Sequence, residues 1–136
     1  MLKTNLIHPQ ILCALAKSGH TGKILIADGN YPVGSKANPN ADRVYLNLTP
    51  GKLTATEVLD TLLTAVPIES AHAMYEADGS TPEIVDTFSS MLNVPVEQLD
   101  PADFYKLAYD QNMALVIATG EQRLYGNIIL TIGVVE

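Results

Sequence analysis

The chain has 136 residues, with 8 basic and 15 acidic side chains and a formal net charge of −7. At about 100–200 residues per domain this reads as one domain, long enough to bury a core without a metal or disulfide staple. Its acidic balance excludes the basic footprint of a nucleic-acid binder. Hydrophobic residues are an ordinary 47%, but charged residues are 17%, against about 25% in a typical soluble domain. A shortage of charge points to surface hidden from water, as at a subunit interface, or to a surface of Thr, Asn and Ser. One cysteine, Cys13, excludes an internal disulfide. No apolar run approaches the ~20 residues of a membrane span. The opening MLKTNLIHPQ lacks the apolar core of a secretory signal, so the expected compartment is the cytoplasm.

In chain order, Pro9 to Lys17 predicts a helix, with Pro in its first turn and Gly19 at its C-terminal cap. Cys13 is expected in its core. KILIA (23–27) predicts a buried strand. A polar loop with several Gly and Pro residues runs from Asp28 to Asp42, and loops of that length are usually functional or mobile. VYLNL (44–48) predicts a second strand. Thr54 and Glu57 form a capping box that opens a helix to about Ala65. Ile68 to Tyr75 predicts a strand with Ile68, Ser70, His72 and Met74 on one face.

A turn at 77–80 leads to a helix from Thr81 and Pro82 to Leu92. Asp100 and Pro101 open another, to about Asn112. Two strands, Ala114–Ala118 and Asn127–Val134, close the chain. The order α-β-β-α-β-α-α-β-β predicts an α/β fold, a three-layer domain with helices covering a mixed β-sheet.

No phosphate loop, serine elbow, or paired-cysteine or His-x-x-x-His metal spacing is present. The three histidines, His8, His20 and His72, are far apart in sequence, so neither a metal nor another cofactor is expected. His20 follows a helix C-terminus, where the negative helix end favours imidazolium. It is a candidate proton donor, or else a helix cap. Asp28 ends the first strand, where α/β sheets commonly bind ligands; it could hold sugar hydroxyls or simply start a turn. Tyr125, Gly126 and Asn127 offer a neutral hydrogen-bonding group suited to hydroxyl-rich ligands, or merely join a loop to a strand. Glu121 is a site carboxylate or a solvated turn residue. His72 is expected to be packed and hydrogen-bonded.

Two segments carry a resemblance: GHTGKILIADGNYP (19–32) and ATGEQRLYGNIILTIGV (118–134). They resemble the hallmark segments of the D-ribose pyranase and L-fucose mutarotase family. The shared features are the Gly-His pair, the Asp closing the strand, the following Pro, the Gly-Glu pair and the Tyr-x-Asn-Ile-Ile-Leu run. The pattern looks closer to the fucose branch. The resemblance implies a cofactor-independent isomerase acting on a free monosaccharide. In it His20 is the proton donor, Asp28 binds sugar, and Tyr125, Gly126 and Asn127 line the site. Imidazole suits that role, since it titrates near ~6.5 as a residue type.

Family members carry a His or Arg at the start of the helix before the last two strands. Here DPADFYK (100–106) offers Asp103 and Lys106 instead, which leaves the sugar unnamed and keeps a non-catalytic sugar-binding protein as the alternative. His20 precedes the first strand and Asp28 follows it, and five extended residues span about 17 Å. The two are therefore expected to meet only between subunits, in a homo-oligomer. The resemblance implies a decamer of stacked pentamers.

Overall fold

The computed structural model describes residues 1–136. Its elements, in chain order, are α1 (Pro9–Ser18), β1 (Lys23–Ala27), β2 (Asp42–Tyr45), α2 (Ala55–Leu62), β3 (Ile68–Met74), α3 (Glu83–Met91), β4 (Val96–Leu99), α4 (Pro101–Ala108), β5 (Met113–Ala118) and β6 (Ile128–Ile132). Ile24, Leu25, Ile26 and Ala27 are fully buried, so β1 carries apolar groups on both faces. Only a strand covered from both sides tolerates that, and β1 accordingly lies inside the sheet. The order is β2-β5-β1-β6-β3-β4. β1 runs parallel to β5 and antiparallel to β6. β2 is parallel to β5, β3 antiparallel to β6 and β4 parallel to β3.

Side chains alternate across the sheet and feed two cores. On one face Ile24, Ile26 and Leu115 pack against α1, α2 and α3 through residues such as Ile11, Leu59 and Phe88. On the other, Leu25, Val116 and Ile129 pack against Phe104 and Ala108 of α4 and against Tyr31, Val33 and Ala37 of the loop after β1. Helices thus cover both faces of a mixed sheet, the expected α/β three-layer arrangement. No helix is long and apolar enough to cross a membrane.

The caps follow the sequence. Thr54 Oγ1 accepts from the Glu57 N–H, and a Glu57 carboxylate oxygen accepts from the Thr54 N–H at 2.9 Å, completing the capping box of α2. Asp100 caps α4 by accepting from Asp103 N–H at 2.8 Å, with Pro101 in the first turn.

Several expectations need correction. The stretch after α3 holds a strand, β4, that the sequence reading passed over. β2 lies at 42–45 rather than 44–48. Cys13 is exposed, because the inward stripe of α1 is Ile11, Ala14 and Leu15, and position 13 turns away from it. Ile68 does not share a face with Met74. The β3–β6 register shifts between Ile68 and Ser70, so Ile68 packs on the three-helix side and Met74 on the α4 side.

The loop at 28–42 is pinned. Arg43 Nε donates to Val33 O at 3.2 Å, Nη1 to Asn38 O at 2.7 Å and Ala41 O at 3.0 Å, and Nη2 to Ala37 O at 3.2 Å. The Tyr31 hydroxyl donates to Lys36 O at 2.6 Å. Burial pushes that phenol's pKa well above its usual value, so it stays a donor. Arg43→Ala strips four carbonyls of a charged donor and should cost about 2–3 kcal/mol. Urea unfolding reads the loss, and hydrogen exchange should rise across residues 31–41. Unchanged exchange there would show that the loop holds without Arg43.

Candidate functional site

The carboxyl end of β1 meets the start of β6 through one buried carboxylate. Asp28 is 5% exposed. Its Oδ1 accepts from Asn30 N–H at 3.0 Å and Tyr31 N–H at 2.9 Å. Its Oδ2 accepts from Gly126 N–H at 3.1 Å and Asn127 Nδ2 at 3.2 Å. Asn127 Oδ1 in turn accepts from the Asp28 N–H at 2.7 Å. Burial raises the Asp28 carboxyl above its ordinary pKa, against the pull of these N–H donors. Asp28 therefore starts a turn, as one sequence reading had it, and also ties the end of β1 to the start of β6.

Gly126 is needed for approach. A Cβ there would lie 2.9 Å from Arg123 O and from Glu121 Cγ. Tyr125 adopts a left-handed φ of 57°. Its hydroxyl accepts from Ala77 N–H at 3.2 Å, which leaves its own proton available to a ligand.

These groups border an open pocket of about 230 Å³, lined by Asp28, Asn30, Tyr31, Met74, Pro101, Tyr105, Leu124, Tyr125 and Asn127. That lies below the drug-sized range of about 300–1,000 Å³, at the scale of one small polar molecule. Its polar lining includes Asp28 and the amides of Asn30 and Asn127, and its apolar lining includes Met74, Pro101, Leu124 and the Tyr105 ring. Tyr105 packs against Tyr31 in a tilted pair, with centroids 5.6 Å apart, and lies under the Lys36 ammonium, 5.7 Å from its centroid.

The sequence reading missed Tyr105 because it looked on α4 for a cation. Asp103 and Lys106, the residues it named, do not line the pocket; they pair with each other at 3.8 Å on the exposed side of α4. Position 105 follows Phe104, which is buried in the core, and so turns toward the pocket's edge.

Glu121 is neither a solvated turn residue nor a pocket carboxylate in this group. It is 3% exposed and accepts from Ala55 N–H at 3.1 Å, at the start of α2. Arg123 Nε and Nη2 reach its two oxygens, each at 2.9 Å. Burial alone would raise its pKa, but the hydrogen bonds and charge of Arg123 hold it below the usual range. A second, more polar hollow of about 450 Å³ lies beside it, between Gly29, Asn47, Thr49 and Gln122.

His20 lies at the other end of the sheet. Thr21 N–H donates to Ile132 O at 3.0 Å, which ties the His20 turn to the end of β6. Its Nε2 lies 2.9 Å from Glu69 Oε2 at the start of β3. β1 is extended through all five residues, so about 17 Å of strand separates the two ends. The structure thus brings Asp28, Tyr125, Gly126 and Asn127 together and leaves His20 apart from them in one chain. His72 is not among the pocket residues; its Nε2 meets Glu97 Oε2 at 3.3 Å across the β3–β4 pair. His8 caps α1 through a long 3.4 Å bond from Ile11 N–H. No three His, Cys, Asp or Glu side chains come together in a metal-ligating group.

The chain has relatives along its whole length. A D-ribose pyranase of Laribacter hongkongensis (strain HLHK9) is 31% identical over 136 residues, covering 99% of this chain and 99% of that protein. A D-ribose pyranase of Geobacillus kaustophilus (strain HTA426) is 33% identical over 136 residues, covering 98% of this chain and 95% of that one. Among solved structures, the fucose mutarotase in complex with L-fucose from Streptococcus pneumoniae matches with a TM-score of 0.84 and 30% identity, over 100% of both chains. Bacillus subtilis RbsD complexed with D-ribose matches with a TM-score of 0.86 and 28% identity, again over 100% of both. Residues 1–135 match the RbsD / FucU transport protein family, and with both the sequence and the fold in agreement along the full chain, the protein belongs to that family.

Proposed function

We propose that residues 1–136 act as one mutarotase or pyranase domain that interconverts the anomers or ring forms of a free monosaccharide such as L-fucose or D-ribose, without a cofactor. One observation carries this reading. A small pocket of mixed polar and apolar lining includes Asp28, Tyr125 and Asn127, and a half-exposed imidazole is held at the far end of the same strand. Sugars have the matching character, with hydroxyls around a ring whose C–H faces suit an aromatic wall. The relatives' printed activities and bound sugars support the same class of substrate.

The chemistry needs little. His20 gives a proton to the ring oxygen while water in the open pocket takes the proton of the anomeric hydroxyl, so that the bond between C1 and the ring oxygen breaks and C1 becomes the open-chain carbonyl. Rotation about the C1–C2 bond and reclosure deliver the other form: the attacking hydroxyl returns its proton to His20, and the carbonyl oxygen regains one from water. Asp28 and Asn127 hold sugar hydroxyls, and the Tyr125 hydroxyl offers its proton to another. The uncatalysed reaction already proceeds, so one positioned acid, worth about 10²–10⁴-fold, is enough.

His20 of one copy serves the Asp28 pocket of a neighbour in this reading. Exposed apolar residues flank both halves. Leu124 is 66% exposed beside the pocket and Val135 is 86% exposed beyond β6. Contact between copies would cover them. We read the assembly as a decamer of stacked pentamers in the cytoplasm, with a mass near ten chains of 14.6 kDa. A second reading, a sugar-binding protein without turnover, is favoured by α4, which offers the pocket Pro101 and Tyr105 and no cation.

His20→Ala should abolish catalysed exchange with the thermal midpoint unchanged, as read by saturation-transfer NMR on fucose, ribose and galactose. Sugar binding by calorimetry with no exchange in the unmutated protein would favour the second reading. Leu124→Asp should split the assembly in light scattering and lose exchange while each subunit stays folded. A variant that dissociates and still turns over would sink the inter-subunit site.

A further inference from the structure

We propose that Glu69 is the positioning residue for His20: it holds the imidazole as the Nε2–H tautomer and leaves Nδ1 as the nitrogen that exchanges a proton with the sugar. This rests on the reading of His20 as the acid.

Nε2 of His20 lies 2.9 Å from Glu69 Oε2. An ionised carboxylate only accepts hydrogen bonds. The neutral ring must therefore carry its hydrogen on Nε2, and Nδ1 is a lone pair until it is protonated. When Nδ1 gives its proton to the ring oxygen, the ring returns to this same tautomer without turning over. No other hydrogen bond fixes the ring in the chain.

Three features of the backbone serve this contact. The register shift between Ile68 and Ser70 makes Glu69 the extra residue of a bulge in β3, and bulges re-aim side chains beside active sites. Gly133 clears the space, since a Cβ there would lie 3.2 Å from Glu69 Cβ and 3.7 Å from its Oε2. On the other side, His20 sits between Gly19 at φ 66° and Thr21 at φ 69°. A non-glycine residue held there is strained by about 1–3 kcal/mol. The pair itself is half exposed, with His20 at 50% and Glu69 at 43%. Exposed ion pairs contribute about 0–1 kcal/mol, so stability does not account for the arrangement. Orientation of the imidazole does.

The test uses the assembled protein labelled with 15N-histidine. Magic-angle-spinning spectra resolve the ring nitrogens of the three histidines, and His20 is assigned by its loss in His20→Ala. In spectra recorded where the His20 ring is neutral, the unmutated protein should show its hydrogen on Nε2. Glu69→Ala should give mixed tautomers and lower kcat about tenfold at near-constant KM, a fraction of the ~10²–10⁴ due to a positioned acid. Glu69→Gln, whose amide oxygen still accepts from Nε2–H, should restore the tautomer and stay within about threefold of the unmutated kcat. An unchanged tautomer, or an unchanged kcat, in Glu69→Ala overturns the inference. If His20→Ala still catalyses exchange, the proposed role of His20 fails instead. If it is inactive while Glu69→Ala behaves as unmutated, only the role of Glu69 fails.

Discussion

The structure depends on the Asp28 carboxylate. One oxygen closes the turn that starts the long loop, and the other holds Gly126 and Asn127 at the start of β6. Two chain segments, residues 28–31 and 126–127, therefore meet on a single buried carboxylate. Leaving such a group short of a partner costs about 1–3 kcal/mol or more, so each donor keeps the others in place. The same network makes Asp28 a rigid acceptor. A hydroxyl arriving from the pocket would meet a carboxylate whose direction is already set, which is the condition under which orientation helps a reaction.

That rigidity has a consequence along β1. A strand with four fully buried residues in succession cannot bend its ends together. Asp28 and His20 stay apart for the same reason that the sheet has a centre. If they share a chemistry, a second copy must join them, and the chain's low fraction of charged residues (17%) then has a physical meaning. Surface that seams against a neighbour sheds charge. In such an assembly the remaining imbalance of −7 per chain would multiply with each copy and favour solubility.

Much of this was legible from the residues. Thr54-to-Glu57, Asp100-Pro101 and KILIA each carry a local signal strong enough to specify their element, and they form as read. β4 left no such signal. VEQL has four residues, none fully buried, on the sheet edge beside β3, so neither alternation nor an apolar run marks it. β2 shifted because Asp42 and Arg43 join the ladder through their backbone while their side chains remain polar. Position 13 was misread because a short helix with apolar residues on several sides does not announce which stripe faces in. Asp28, Gly126 and Asn127 were visible as separate motifs, but their mutual bonding spans about a hundred residues of chain. Glu69 was invisible because a bulge is a property of pairing between strands. Tyr105 was missed because attention went to charge on α4, where the pocket takes an aromatic edge.

Three non-glycine residues have left-handed backbone: Thr21, Leu53 and Tyr125. Leu53 has a structural reason, since its carbonyl accepts from Gly120 N–H at 3.0 Å just before the Thr54 cap. Thr21 and Tyr125 are held by backbone bonds as well: Thr21 N–H donates to Ile132 O at 3.0 Å, and Tyr125 O accepts from Asn127 N–H at 2.8 Å. One follows His20 and the other begins the Tyr125–Asn127 run, at opposite ends of the sheet. Strain of this size persists only where the surroundings over-determine it. At one end the surroundings are the β6 tie and the Glu69 bulge; at the other they are the Asp28 network. The backbone is thus held out of its preferred state at both places, independently and about 17 Å of strand apart. If two chains each lend one end to the other, as the proposed function requires, both ends arrive with their direction already set by their own chain.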